Sequence, residues 1–192
     1  MTTVLDAAAL AAHLHAGRAA VFPTDTLVAL AALPQHASQI WQLKRRPPDK
    51  PLILMGADLD QLQQVEGVQW PSQAFELAAA HWPGALTLVL PAEGPLLEQL
   101  NPGGNSLGLR VPACSMAQQL LRLSGPLATT SANRSGEPAA TTAAEAAACF
   151  AAEAVPLLGP LPWPAPSGQA STVLGWIDGT WQVLRAGSVS LP

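Results

Sequence analysis

Cysteine is scarce in this chain, and so is positive charge. Among 192 residues there are two cysteines, Cys114 and Cys149, far apart and without a C-x-x-C spacing. That excludes a zinc site built on paired thiolates and a disulfide framework; both read as small buried apolar residues. Lys and Arg number 9 against 13 Asp and Glu, a formal net charge of −4. Such a balance argues against a broad nucleic-acid surface, which needs an excess of cations to meet phosphates. Long hydrophobic runs are missing too: none approaches the ~20 residues of a membrane-spanning helix. Yet 49% of the residues are hydrophobic, which fills a core and excludes compositional disorder. The Ala-rich stretch from Leu5 to Ala20 lacks a basic region before its apolar part and carries Asp6, His13, His15 and Arg18. It reads as an amphipathic helix of a cytoplasmic protein rather than as a signal peptide. Internal repeats, a Walker loop, a Rossmann fingerprint and a nucleophile elbow are also absent.

What remains alternates helix and strand, as expected of one α/β domain over residues 1–192 with a mixed sheet. Helices are expected near 4–16, 37–45, 58–65, 71–82, 114–123 and 142–152. Gly17 ends the first, and Pro47 with Pro48 breaks the second. Strands are expected at 19–22, 51–55, 85–90, 106–111, 127–130, 171–174 and 181–184. The proline-crowded stretch 156–168 reads as a surface loop. The four histidines, 13, 15, 36 and 81, have no metal-ligand spacing, so no protein metal site is assigned.

Four loops at strand ends gather hydroxyls, cations or glycines, and strand ends are where α/β folds place ligands. Pro23 to Thr26 sets hydroxyls beside the Asp25 carboxylate, a pattern that can hydrogen-bond an amino-acid ligand, although taken alone it favours a plain turn that ends a strand. Lys44 to Leu52 carries Lys44, Arg45, Arg46 and Lys50. Helix-dipole complementarity, worth ~0.3–1 kcal/mol, explains one or two of these but not Lys50 in a proline-stiffened loop, so a polyanion such as a triphosphate fits better. Along Ser106 to Arg110, alternation puts Ser106, Gly108 and Arg110 on one face, which suits a pocket wall or a half-exposed strand about equally. Thr129 to Gly136 is too rich in hydroxyls for a helix cap alone and suits phosphate or ribose. Seven of the nine basic residues lie in or beside such motifs, with only Arg18 and Arg122 elsewhere. Cations grouped in an acidic protein point to a small anion.

In order, these segments resemble the YrdC/YwlC family of threonylcarbamoyl-AMP synthases. The family elements P-T-D/E-T, K-x-R-P-x-D/E-K/N-P-L, W-P-G-P-L-T, S-V/L-A/G-V/L-R-x-P, S-A-N-x-S-G, S-T-V and L-R-x-G correspond to Pro23–Thr26, Lys44–Leu52, Trp82–Thr87, Ser106–Pro112, Ser131–Gly136, Ser171–Val173 and Leu184–Gly187. The likeness covers about residues 20 to 187. It implies a YrdC-like twisted mixed sheet flanked by helices, with a large central cavity. It also implies condensation of L-threonine, bicarbonate and ATP with release of pyrophosphate, for the N6-threonylcarbamoyladenosine at position 37 of tRNA. By resemblance, Thr26, Arg110 and Ser171 meet threonine. Arg46, Lys50, Ser106, Thr129, Ser131 and Arg185 meet ATP, and Lys44 with Arg46 and Lys50 stabilises phosphate charge. No catalytic nucleophile is implied. Mg²⁺ accompanies ATP through water and phosphate oxygens, and the product passes to a separate tRNA threonylcarbamoyl-transferase complex. The likeness also implies double-stranded RNA binding, while the acidic balance argues against direct tRNA contact. The chain departs from the family's V-Y-G-L with Leu27 to Leu30, so Val28 and Ala29 replace a ring and a glycine. A diverged paralogue that binds a nucleotide or RNA without turnover is the alternative. A fragment of a hydrogenase-maturation carbamoyltransferase is a third reading, opposed by the missing zinc-finger cysteines.

Overall fold

The computed structural model describes residues 2–45 and 50–189. Its strands are β1 Val4–Leu5, β2 Ala20–Phe22, β3 Ala29–Ala32, β4 Ile53–Met55, β5 Leu86–Pro91, β6 Ser106–Arg110, β7 Leu127–Ser131, β8 Leu157–Leu158, β9 Thr172–Ile177 and β10 Thr180–Arg185. The helices are α1 Ala7–His15, α2 Ser38–Lys44, α3 Leu59–Gln63, α4 Ser72–His81, α5 Pro95–Leu100, α6 Ser115–Ser124 and α7 Ala143–Cys149. All ten strands join one twisted mixed sheet in the order β1-β8-β2-β3-β7-β4-β6-β5-β9-β10. The β1/β8, β2/β8, β4/β6 and β5/β9 pairs are parallel and the other neighbours antiparallel.

Local chemistry sets several boundaries. Helix α1 begins later than expected because Asp6 caps it, its Oδ1 accepting from the Ala9 backbone N–H at 2.8 Å. The preceding Val4 and Leu5 are drawn into the sheet beside β8. Helix α2 ends at Lys44, ahead of the prolines, with Arg45 in the left-handed region at φ 52°. A capping box of Thr142 and Glu145 starts α7. The stretch 156–168 is not all surface loop: Leu157 and Leu158 are buried and bridge β1 to β2. Strand β3 and helix α5 were not expected either. Ala29 to Ala32 carries no period-2 alternation because both its faces are buried.

Those two faces separate two cores. Val21, Leu30, Leu54, Leu88, Leu109 and Ala128 point to one, against α2, α4 and α5. Ala20, Phe22, Ala29, Ala31, Met55 and Leu127 point to the other, where Leu10 and Leu14 of α1 meet Leu120 and Leu121 of α6. Fully burying one such side chain contributes about 1.5–3 kcal/mol. Helices α1 and α6 cover the second face as far as Leu127. Beyond it the same face carries Thr129 and Ser131, and there the site lies.

Candidate functional site

A hollow of about 300 Å³ occupies that end of the sheet. Ala29, Ile53, Met55, Thr129 and Ser131 make its floor, as the register requires, since Ile53 pairs with Thr129 and Ala29 with Ser131. One wall is the loop after β2. There the Thr24 hydroxyl donates to the Leu27 carbonyl at 2.6 Å and accepts from the Thr26 N–H at 3.1 Å. This is a hydroxyl-built turn, and it leaves both threonines buried at the hollow. The opposite wall is Ala170, Ser171 and Arg185.

Two guanidiniums face this space from distant parts of the chain. Arg110, at the end of β6, is buried. Its Nε donates to the Gly84 carbonyl at 3.0 Å, Nη1 to Thr26 Oγ1 at 2.7 Å and Nη2 to Asp25 Oδ1 at 2.7 Å. Burial pushes its pKa below the ordinary arginine value; Asp25 opposes that shift, and the like charge of Arg185 adds to it. The side chain stays cationic, because arginine is effectively always protonated in proteins. Gly84 cannot carry a side chain here, since a Cβ would lie 2.3 Å from the His81 carbonyl oxygen.

Arg185 reaches the hollow through a bulge. Val183 pairs with Leu174, but Arg185 pairs with Val173, a shift of one residue at Leu184. Simple alternation would keep Arg185 on the face of Val183; the bulge moves it to the face of Val173. Val173 pairs with Thr87, which lies on the same side of the sheet as Arg110. Although Arg185 is exposed over much of its length, its Nη2 donates to the Ser171 carbonyl at 2.9 Å and hydroxyl at 3.1 Å, and partial burial lowers its pKa. The Ser171 hydroxyl also bonds Thr87 Oγ1 at 2.8 Å, in a fully buried position. Gly187 lets the chain pass Ala170, whose carbonyl oxygen a Cβ would meet at 2.3 Å.

The remaining cations behave differently. Lys44 is buried at 2% exposure, and its Nζ donates to the carbonyls of Ser131 at 2.6 Å and Asn133 at 2.9 Å, and to Asn133 Oδ1 at 2.7 Å. It therefore shapes the loop that holds Ser131, whose hydroxyl donates to the same Asn133 Oδ1 at 2.7 Å. Arg134 turns away from the hollow: it donates to the Leu43 carbonyl, pairs with both oxygens of Glu153 at 2.9 and 2.8 Å, and lies over the Phe150 ring. Lys50 is exposed beside Pro51 of the hollow's edge, and its carbonyl accepts from Trp41 Nε1 at 3.1 Å. Ser106 lies at the opposite end of β6 from Arg110, with its carbonyl accepting from Asn101 Nδ2. Arg46 lies outside the described residues.

Of the residues singled out from sequence, Thr26, Arg110, Thr129, Ser131, Ser171 and Arg185 thus line one hollow; Lys44 stands behind it, and Lys50 and Ser106 are set apart from its walls. Sequence reasoning assigned nothing to Thr87 or Asn133, and it read Asp25 only as a carboxylate beside the turn hydroxyls, not as the partner of Arg110. Thr87 and Asn133 sat within recognisable motifs, but their partners come from other segments. Among the described residues the lining carries two guanidiniums and no carboxylate. No group of three or more His, Cys, Asp or Glu could hold a metal among them. A larger hollow of about 900 Å³ between the proline-rich stretch and α7 is lined mostly by apolar residues, Trp163 among them. No described helix is long and apolar enough to cross a membrane.

A family model named for Sua5, YciO and YrdC, described as "Telomere recombination", matches residues 12–187. The threonylcarbamoyl-AMP synthase of Bacillus subtilis (strain 168) is 35% identical over 185 residues, covering 94% of this chain and 53% of that protein. The protein of the same name from Pyrococcus abyssi (strain GE5 / Orsay) is 38% identical over 144 residues, covering 73% of this chain and 42% of its own length. The chain thus spans about half the length of these curated relatives. The crystal structure of P. abyssi Sua5 complexed with L-threonine superposes with a TM-score of 0.87 at 31% identity, over 96% of this chain and 56% of that one.

Proposed function

The chain belongs to the Sua5/YciO/YrdC family, and from that premise we propose that it condenses L-threonine, bicarbonate and ATP into threonylcarbamoyl-AMP. The observation that carries this reading is the pairing of Arg110 and Arg185 in a hollow without a lining carboxylate. Asp25 neutralises Arg110 only from behind the wall, while Arg185 has no carboxylate partner among the described ion pairs. Both keep N–H donors open to anions in the hollow, and the reaction brings two: an amino-acid carboxylate and a phosphate. Arg110, Thr26 and Ser171 take the amino acid, in keeping with the L-threonine named for the P. abyssi structure. Arg185, Ser131 and Thr129 take the α-phosphate side of ATP. Lys50, Ser106 and Arg46 serve the part of the nucleotide that extends beyond the hollow, and Lys44 supports the phosphate indirectly through the Ser131 loop.

The threonine amine bonds to the carbon of bicarbonate with loss of water, giving a carbamate. A carbamate oxygen then attacks the α-phosphorus, and the bridging oxygen leaves with pyrophosphate. Both steps need alignment and charge neutralisation rather than a protein nucleophile. Mg²⁺ enters with the ATP substrate, on phosphate oxygens and water. That arrangement suits a site whose nearby carboxylate, Asp25, is already engaged by Arg110 and the Ala113 N–H. The product then passes to a separate complex that modifies tRNA.

Pyrophosphate release from the purified chain tests this. Release should require ATP, L-threonine and bicarbonate together. Tight ATP binding with no threonine-dependent release would sink the proposal and favour the diverged nucleotide-binding paralogue.

A further inference from the structure

Asp25 stands directly behind the wall of the hollow without lining it. Its Oδ1 accepts from Arg110 Nη2 at 2.7 Å and from the Ala113 N–H at 3.0 Å. Its own carbonyl accepts from the Ser167 N–H at 2.9 Å, and that of Thr26 from the Gly168 N–H at 3.0 Å. One residue therefore joins the end of β6, the turn leading to α6 and the segment that delivers Ser171.

The consequence lies in the donors that Arg110 keeps. A guanidinium has five N–H groups in a fixed fork. Three are committed, to Gly84, Thr26 and Asp25, so one remains on each Nη. Arg185 repels this group across the hollow, and a long side chain with many rotamers relieves such repulsion by swinging away. Gly84 and Thr26 supply neutral acceptors only; Asp25 is the charged one, and hydrogen bonds between charged groups are about twice as strong as neutral ones. We propose that Asp25 is the positioning residue of the amino-acid subsite. It holds Arg110 in place against Arg185, with two N–H groups left for a carboxylate, and so sets affinity for the amino acid rather than for the nucleotide. The subsite assignment rests on the function proposed above; the anchoring of Arg110 does not.

The test combines kinetics with a readout independent of turnover, using wild type, Asp25→Asn and Asp25→Glu. Nuclear magnetic resonance of the Arg110 Nε–H, bonded to Gly84, reports anchoring through its exchange with solvent. In Asp25→Asn this exchange should quicken by about tenfold or more, as expected when a charged anchor becomes a neutral one. The threonine KM should rise by about tenfold while that of ATP stays within about twofold, the split that marks lost binding of one substrate. Asp25→Glu should recover part of both effects, and it carries the test if the Asn variant does not fold. Unchanged Arg110 exchange in both variants overturns the positioning role. Faster exchange with an unchanged threonine KM, or equal rises for both substrates, overturns the link to the amino acid. If wild type shows no threonine-dependent release, the underlying function is what fails, and the exchange measurement still decides whether Asp25 anchors Arg110.

Discussion

The cations of the hollow and the cations that hold the Ser131 to Gly136 loop come from equally motif-like sequence, yet they occupy opposite situations. Arg110 and Arg185 face a shared space and leave N–H donors open. Lys44 and Arg134 are satisfied by the protein itself: three oxygens of the loop surround the Lys44 ammonium, while Glu153, the Leu43 carbonyl and the Phe150 ring take up Arg134. The difference teaches that a cluster of cations in sequence holds two populations. One is available to a ligand, and the other builds the loop that the ligand meets. Their contributions to folding and to turnover should therefore rank in opposite orders.

The comparison is most easily broken at Lys44. Lys44→Met keeps most of the length of the side chain but strips the loop oxygens of their donor. We expect a loss of about 2–4 kcal/mol, from buried acceptors left unsatisfied. At roughly 2–4 °C per kcal/mol for a chain of this size, thermal unfolding should register it clearly. A Tm within a degree of wild type would place Lys44 with the ligand-facing group instead.

Arg134 should show a smaller effect of the same kind. Arg134→Ala removes a partly exposed ion pair, the hydrogen bond to the Leu43 carbonyl and a ring contact, worth roughly 1–2 kcal/mol together, with both substrate KM values unchanged. The pair also predicts a pH dependence. Arg134 holds the Glu153 carboxyl below its usual range, so the folded state binds that proton less readily than the unfolded chain does. The stabilisation is present above the unfolded carboxyl pKa and is lost as pH falls through the lowered folded value. Acid denaturation of wild type and Arg134→Ala should accordingly converge at low pH, and parallel curves would contradict the pairing.

The smallest change in stability belongs to Arg185→Ala. An exposed side chain on the edge strand should leave unfolding within about 0.5 kcal/mol of wild type, while pyrophosphate release falls and the ATP KM rises. A large fall in Tm with normal turnover would reverse the comparison.

Much of the fold was legible. The apolar stretches that became β2, β5, β6 and β7 announced themselves, and so did α6, whose buried Ala117, Leu120, Leu121 and Ser124 follow helical spacing. Strand β3 did not, because a strand buried on both faces loses the alternation that reveals it. The two-residue β1 and β8 were hidden as well, since neither is a strand except beside the other and β2. In the site, Thr26, Arg110 and Ser131 could be picked out as polar residues at strand ends, whereas Ser171 and Arg185 came only with the family resemblance. Asp25 could not be matched to Arg110, nor Thr87 and Asn133 given roles, because each acts on a partner remote in sequence.

By itself, the sequence determined the inventory: a core-forming α/β chain, few cations, and hydroxyl-rich loops after strands, since these follow from composition, turn chemistry and short-range periodicity. Which cations face the hollow was decided only in three dimensions. A single extra residue in β10 turns Arg185 toward Arg110, and burial leaves Lys44 to the loop. Hydrogen bonds between segments some 85 residues apart make the hollow, and local spacing carries no record of them.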